Sequence, residues 1–231
     1  MTPLQTTYGI NTQHLSVIKT EEGSHTIYNA DICEHYHSLH GAIQENKHVF
    51  IKNGLLPFLN KSKISILEMG FGTGLNALLT YHENSLAKKQ IEYTTIEMFP
   101  LSADFATSLN YCELINPALK GVFNNMHQCN WNERVQFNNF NLHKVYADML
   151  EIQFEDKFDL VYFDAFSPAH QPLLWSKEVF KKIADACTSH SVLVTYCAKE
   201  DIRNALQEVG FEVEILPGEK GKREMIYAKK N

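Results

Sequence analysis

The sequence predicts an α/β fold: a doubly wound, mostly parallel sheet of seven strands that closes with an antiparallel strand. Three observations carry this expectation. Apolar runs of strand length alternate with amphipathic stretches of helix length from residue 64 onward. The run from Phe158 to Asp164 is apolar almost throughout, as a strand covered on both faces must be. The last two strands, 211–216 and 224–229, are joined by a loop too short for a parallel crossover, so one of them must run antiparallel.

The elements follow in order. Alternation on either side of Glu21-Glu22-Gly23-Ser24 reads as a hairpin over 14–30, and a helix is expected over 38–53. These belong to an N-terminal extension, 1–55, ahead of a main domain, 56–231. That domain begins with a strand at Ile64–Glu68, a helix over 74–84, a strand at Ile91–Glu97 and a helix over 101–111. The Asn-rich stretch from Asn124 to Asn141 reads as a surface excursion. Strands follow at Leu142–Ala147, Phe158–Asp164 and Ser191–Tyr196, with helices over 175–188 and 199–209.

Composition narrows the class. With 231 residues, 44 % of them apolar and 21 % charged, the chain is ordinary globular material, not a disordered or fibrous one. No apolar run reaches the length of a membrane span, and the first residues lack the pattern of a secretory leader. Five cysteines without a CxxC pair fit a reducing cytoplasm. The run Cys33-Glu34-His35-Tyr36-His37-Ser38-Leu39-His40 invites a metal reading, but no second ligand pair stands at structural-zinc spacing, so no metal is expected. The net charge of −6 argues against a simple basic nucleic-acid module. It is uneven, however: 170–231 hold 10 basic and 9 acidic side chains, against 11 and 18 in 1–169.

The chemistry begins at Glu68-Met69-Gly70-Phe71-Gly72-Thr73-Gly74-Leu75-Asn76, where a strand feeds a glycine loop that opens a helix. A phosphate-cradling loop would need GxxxxGK[ST], and a dinucleotide fingerprint would need GxGxxG; neither is met. What remains, E-x-G-x-G-x-G, resembles class I S-adenosylmethionine-dependent methyltransferases. Glu97 ends the next strand, where a carboxylate can accept ribose hydroxyls, and Asp148 follows the third, at the place for an adenine amino group. Acids suit a phosphate-free cofactor whose sulfonium is cationic. A tight turn with solvent-facing acids would account for any one of them alone, but not for three in register with the glycines.

Asp164 ends the central apolar strand and opens Asp164-Ala165-Phe166-Ser167-Pro168, at the edge where open α/β sheets bind ligands. Methyl transfer to an amine develops positive charge on nitrogen, and a fixed carboxylate there is most useful in the transition state. Phe166, Trp175 and Tyr196 are candidate rings for a flat acceptor, with core packing as their ordinary alternative.

LEMGFGTGLN at 67–76, DAFSPAxxPxLW at 164–175 and GxxGKREM at 218–225 together resemble the methyltransferase domain of the bacterial MnmC/MnmD group, enzymes of tRNA 5-methylaminomethyl-2-thiouridine biosynthesis. The weaker match Glu45-Asn46-Lys47-His48-Val49-Phe50 carries the likeness into the extension. The resemblance implies methylation of the aminomethyl nitrogen of the wobble uridine, with S-adenosylmethionine as cofactor and a tRNA anticodon arm as partner. It implies Gly70, Gly72, Gly74, Glu68, Asn76, Glu97, Asp148 and Asp164 around the cofactor, and Asp164 beside the amine. Phe166, Pro168, Trp175, Tyr196, Lys222 and Arg223 would meet the acceptor. Many members are fused to an FAD-dependent oxidase. A chain of this length leaves no room for one, so a stand-alone enzyme without FAD and without an obligatory protein partner is expected. Two rivals stay open: a small-molecule amine methyltransferase or aminopropyltransferase on the same scaffold, and a non-catalytic RNA-binding subunit.

Overall fold

The computed structural model describes residues 14–231; residues 1–13 of the predicted extension lie outside the described residues. The described residues open with a small antiparallel sheet of β1 (Leu15–Lys19), β2 (His25–Asn29) and β3 (Glu34–His35). The hairpin turns at Gly23, whose φ of 97° suits only glycine comfortably.

Helix α1 (Ala42–Asn46) runs directly into a π-helical stretch, Lys47–Leu55, where an ordinary helix was expected over 38–53. Its wide turn shows in the Leu56 N–H, which donates to the Ile51 carbonyl five residues back. Gly54 explains the tolerance: a Cβ there would come within 3.1 Å of the Tyr162 ring and 3.2 Å of Val194, so the helix lies against the sheet.

Among the described residues the main sheet has eight strands rather than seven. They are β4 (Lys63–Met69), β5 (Gln90–Glu97), β6 (Arg134–Phe137), β7 (Phe140–Tyr146), β8 (Phe158–Phe163), β9 (Cys187–Thr195), β10 (Phe211–Pro217) and β11 (Glu224–Lys230). Their order is β10-β11-β9-β8-β4-β5-β7-β6. The five strands from β9 to β7 are parallel. Strand β11 is the antiparallel one, inserted between β10 and β9. The additional strand is β6, antiparallel to β7 at the other edge. It lies in the stretch read as an excursion, and Asn138 makes the reversal with φ 52°. Asparagine tolerates that left-handed geometry better than most residues.

The remaining helices are α2 (Leu75–Ala87), α3 (Ala103–Thr107), α4 (Tyr111–Ile115), α5 (Lys120–Gln128), α6 (Lys177–Ala186) and α7 (Glu200–Glu208). The helix expected over 101–111 is therefore two pieces. Asn110 separates them because its side chain serves the β1–β2 turn: Oδ1 accepts from the His25 N–H at 2.8 Å and Nδ2 donates to the Gly23 carbonyl at 2.9 Å. Helix α5 runs from just before the predicted excursion into it, burying Phe123 and Met126 at helical spacing.

Two apolar clusters hold these layers together. One joins Ile27, Phe50 and Leu55 to Ile64, Ile66, Tyr93 and Tyr162, so the described part of the extension shares a core with the sheet. The other, on Val161, Phe163 and Leu193, is covered by α6 and α7. Met69 of β4 stands level with Ile96 of β5 and Phe163 of β8, and Glu97 with Tyr146 of β7. This register delivers four strand ends to one edge.

Candidate active site

That edge carries a cavity of about 920 Å³. The glycine loop forms its floor. Gly70 is anchored by its N–H to the Ile96 carbonyl at 3.0 Å, and the Asp164 N–H donates to the Met69 carbonyl at 3.3 Å. Thr73 is clasped from two sides. Its hydroxyl lies 2.8 Å from His37 Nε2, and its carbonyl 3.1 Å from His127 Nε2. Burial holds both imidazoles neutral, pushing His37 down to about 4 and His127 to about 3.

At Gly72 a Cβ would point towards Tyr36, 3.4 Å away, on the cavity wall. At Gly74 it would strike His127 Nε2 at 2.7 Å instead. The first glycine keeps the cavity open; the second lets helix α5 approach.

Glu97 is fixed by two backbone donors: Gly72 N–H to Oε2 at 3.1 Å and Phe99 N–H to Oε1 at 2.8 Å. Burial raises its pKa, and those N–H groups oppose the rise. Asp148 caps its own turn, accepting from the Leu150 N–H at 2.8 Å, and also lines the cavity. Together with the Gly72 backbone these carboxylates make an acidic, phosphate-repelling wall. Such a wall suits hydroxyl and amino donors of a cationic nucleoside, which is the fit expected of S-adenosylmethionine.

At the other end of the cavity, Asn76 Nδ2 donates to Asp164 Oδ2 at 2.8 Å, and Asn46 Nδ2 donates to Asn76 Oδ1 at 2.8 Å. Burial pushes the Asp164 carboxyl up to about 7, helped by the charge of Glu45 and opposed by Asn76 and Lys222. Phe166 meets Tyr36 edge-on at 4.9 Å, and the Tyr196 hydroxyl donates to the Ala165 carbonyl at 2.9 Å. Gly70, Gly72, Asn76, Glu97, Asp148, Asp164, Phe166, Tyr196 and Lys222 all line the cavity.

Five expected residues do not reach its wall: Glu68, Gly74, Pro168, Trp175 and Arg223. Trp175, expected as a stacking ring, is only 4 % exposed. Its ring packs on Phe163 at 4.7 Å and its Nε1 donates to the Phe166 carbonyl at 2.7 Å, so it props the loop from behind. Arg223 is exposed on the β10–β11 loop, where its carbonyl accepts from Gly218. Among the described residues no three His, Cys, Asp or Glu side chains cluster to hold a metal. The histidine run is spent otherwise: His37 on Thr73, His40 on Glu21, and His35 against Tyr28.

Glu68 lies beneath the loop, 1 % exposed, and neither carboxylate oxygen has a partner in hydrogen-bond geometry. Burial pushes its pKa up to about 8; the Asp164 charge adds to the rise, and Thr95, Tyr93 and Asn76 oppose it. The folded protein therefore holds a proton there that the unfolded chain releases near pH 4.5, and its stability falls as pH climbs towards 8. His37 and His127 act in the opposite sense, but only below their unfolded pKa of about 6.5. Urea unfolding between about pH 5 and pH 9 should show wild type losing stability relative to Glu68→Gln, by on the order of a few kcal/mol in all, with the loss levelling off above about pH 8. Parallel pH slopes for the two proteins would show that Glu68 is ionised throughout.

Tyr36, His37, Glu45 and Asn46 escaped the sequence as site residues. Their contacts reach Gly72, Thr73, Asn76 and Lys222, all far along the chain, and no local spacing encodes that.

Comparison with known proteins agrees with this geometry. A family model described as S-adenosyl-L-methionine-dependent methyltransferase matches residues 110–231. The tRNA 5-methylaminomethyl-2-thiouridine biosynthesis bifunctional protein MnmC of Hydrogenovibrio crunogenus is 29 % identical over 209 residues, covering 84 % of this chain and 31 % of the relative. The protein of that name from Leptospira interrogans is 31 % identical over 209 residues, covering 83 % and 32 %. The chain thus spans about a third of the length of these relatives. Among solved structures, MNMC2 from Aquifex aeolicus superposes with a TM-score of 0.74 at 23 % identity, covering 96 % of this chain and 72 % of that one. Spermidine synthase from Thermotoga maritima reaches 0.59 at 12 % identity, covering 96 % and 70 %. At those identities the two structures show the fold alone.

Proposed function

The chain belongs to the S-adenosyl-L-methionine-dependent methyltransferase family, and from that premise we propose that it methylates the aminomethyl nitrogen of a wobble uridine in tRNA. The observation that carries the proposal is Asp164, a carboxylate held by Asn76 at the acceptor end of a cavity whose other end is built from Gly72, Glu97 and Asp148. The relatives named for tRNA 5-methylaminomethyl-2-thiouridine biosynthesis supply the acceptor class.

The residues divide the work. Gly70, Gly72, Glu97 and Asp148 would hold S-adenosylmethionine, which supplies an electrophilic methyl group on a sulfonium. Asp164 accepts a hydrogen bond from the acceptor amine and orients its lone pair. With a pKa near 7 rather than 4, it is also matched to take the proton the amine must lose. Phe166, Tyr36 and Tyr196 give a flat base apolar faces to lean on once it has left its stack. Lys220 and Arg223, exposed on the loop that carries Lys222 to the cavity, are the candidate phosphate contacts.

The decisive experiment is mass spectrometry of wobble nucleosides after incubating the protein and S-adenosylmethionine with undermodified tRNA. One methyl group on the aminomethyl nitrogen is the expected product. Unmodified tRNA alongside methylated or aminopropylated small amines would replace this reading with a small-molecule transferase.

A further inference from the structure

We propose that Glu45 and Lys222 form a paired positioning element for Asp164, with Glu45 holding Lys222 inside the cavity so that the two opposite charges together set the charge at the acceptor end. The inference rests on the reading above in taking Asp164 as the amine's partner, and it deepens that reading by adding two residues.

Lys222 comes from the loop between β10 and β11 and was expected to meet the acceptor. Its ammonium pairs with Glu45 Oε1 and sits 4.2 Å from the centre of the Tyr196 ring. Glu45, on α1, is 5 % exposed, and its second oxygen accepts from the Ser38 N–H at 2.7 Å. Both oxygens are therefore occupied, and Glu45 is not free to act as a base. A buried carboxylate needs such a partner, and the ammonium gains a second, aromatic one. The pair ties the last hairpin of the chain to the first helix across the cavity mouth.

Its electrostatic reach includes Asp164. Glu45 raises the Asp164 pKa and Lys222 lowers it. The titratable groups around that carboxyl are Glu45, Glu68, Tyr93, Tyr196 and Lys222, and His37 faces the Glu45–Lys222 pair. Of these, Tyr93 and Tyr196 are neutral phenols because burial raises their pKa, His37 is neutral because burial lowers its own, and burial keeps Glu68 protonated at pH 7. Glu45 and Lys222 remain as the charged pair. With the two in balance, an ionised Asp164 leaves one net negative charge at the acceptor end, which matches one arriving ammonium.

The test is the titration midpoint of Asp164, read by NMR of the protein carrying 13C-labelled aspartate carboxyls, assigned with Asp164→Asn. Glu45→Gln is expected to lower the midpoint and Lys222→Met to raise it, each on the order of 1 pH unit. The double variant Glu45→Gln/Lys222→Met, which leaves no unpaired buried charge and should fold if either single variant does not, should return close to wild type. A midpoint that stays within about 0.3 unit in every variant, or moves the same way in both single variants, overturns the proposal. This readout needs no acceptor, so loss of the tRNA activity in wild type would count against the functional reading and not against the pair.

Discussion

Asp164→Ala should lower methyl transfer by on the order of 10²-fold or more while cofactor affinity, measured by titration calorimetry, stays near wild type. The asymmetry follows from where the carboxylate stands. Gly72, Glu97 and Asp148 lie at the far end of the cavity and are held by backbone bonds that do not involve Asp164. Asp164 is instead fixed by Asn76, itself fixed by Asn46, so its oxygen is aimed before any acceptor arrives. An interaction that strengthens as charge develops on nitrogen acts on turnover, not on ground-state binding. Asp164→Asn keeps the shape and can still accept from Asn76, so the loss that survives this substitution measures the charge itself. In wild type the rate should climb with pH through about 7 as Asp164 ionises. Unchanged turnover in either variant would remove Asp164 from the mechanism.

Gly72→Val should abolish cofactor binding. The backbone there has φ 49°, a conformation a β-branched residue adopts only with strain. The added side chain would project towards Tyr36 and into the cavity, while the Gly72 N–H could no longer stay on Glu97 without holding that strain. Gly74 would be a poorer probe. A side chain there collides with His127 and Phe71, so Gly74→Val would unseat α5 and report folding rather than binding. Circular dichroism close to wild type with no calorimetric signal for S-adenosylmethionine is the expected outcome for Gly72→Val. Normal affinity would move the cofactor away from the loop.

Much of the site was legible because its residues are punctuated locally. A strand, three glycines and the start of a helix lie within thirteen residues, and the acids at 97, 148 and 164 each end or follow an apolar run. Periodicity likewise exposed the parallel strands. It missed β6 and α5 because the asparagines around them masked a short edge strand and a helix with only one buried stripe. It joined α3 to α4 because nothing in the sequence near Asn110 announces that its amide belongs to a hairpin 85 residues away.

The sequence by itself determined the parallel strands, the antiparallel reversal at the end and the glycine loop with its acids, since each is written in local spacings. Only the tertiary structure decided which side chains face the cavity. Trp175 leaves the cavity for the core, and Lys222 is tied to a partner no spacing announces: Phe163 and Phe180 hold the indole, and Glu45, far along the chain, holds the lysine. Burial and pairing energies depend on what surrounds a group in space, and no local pattern specifies that.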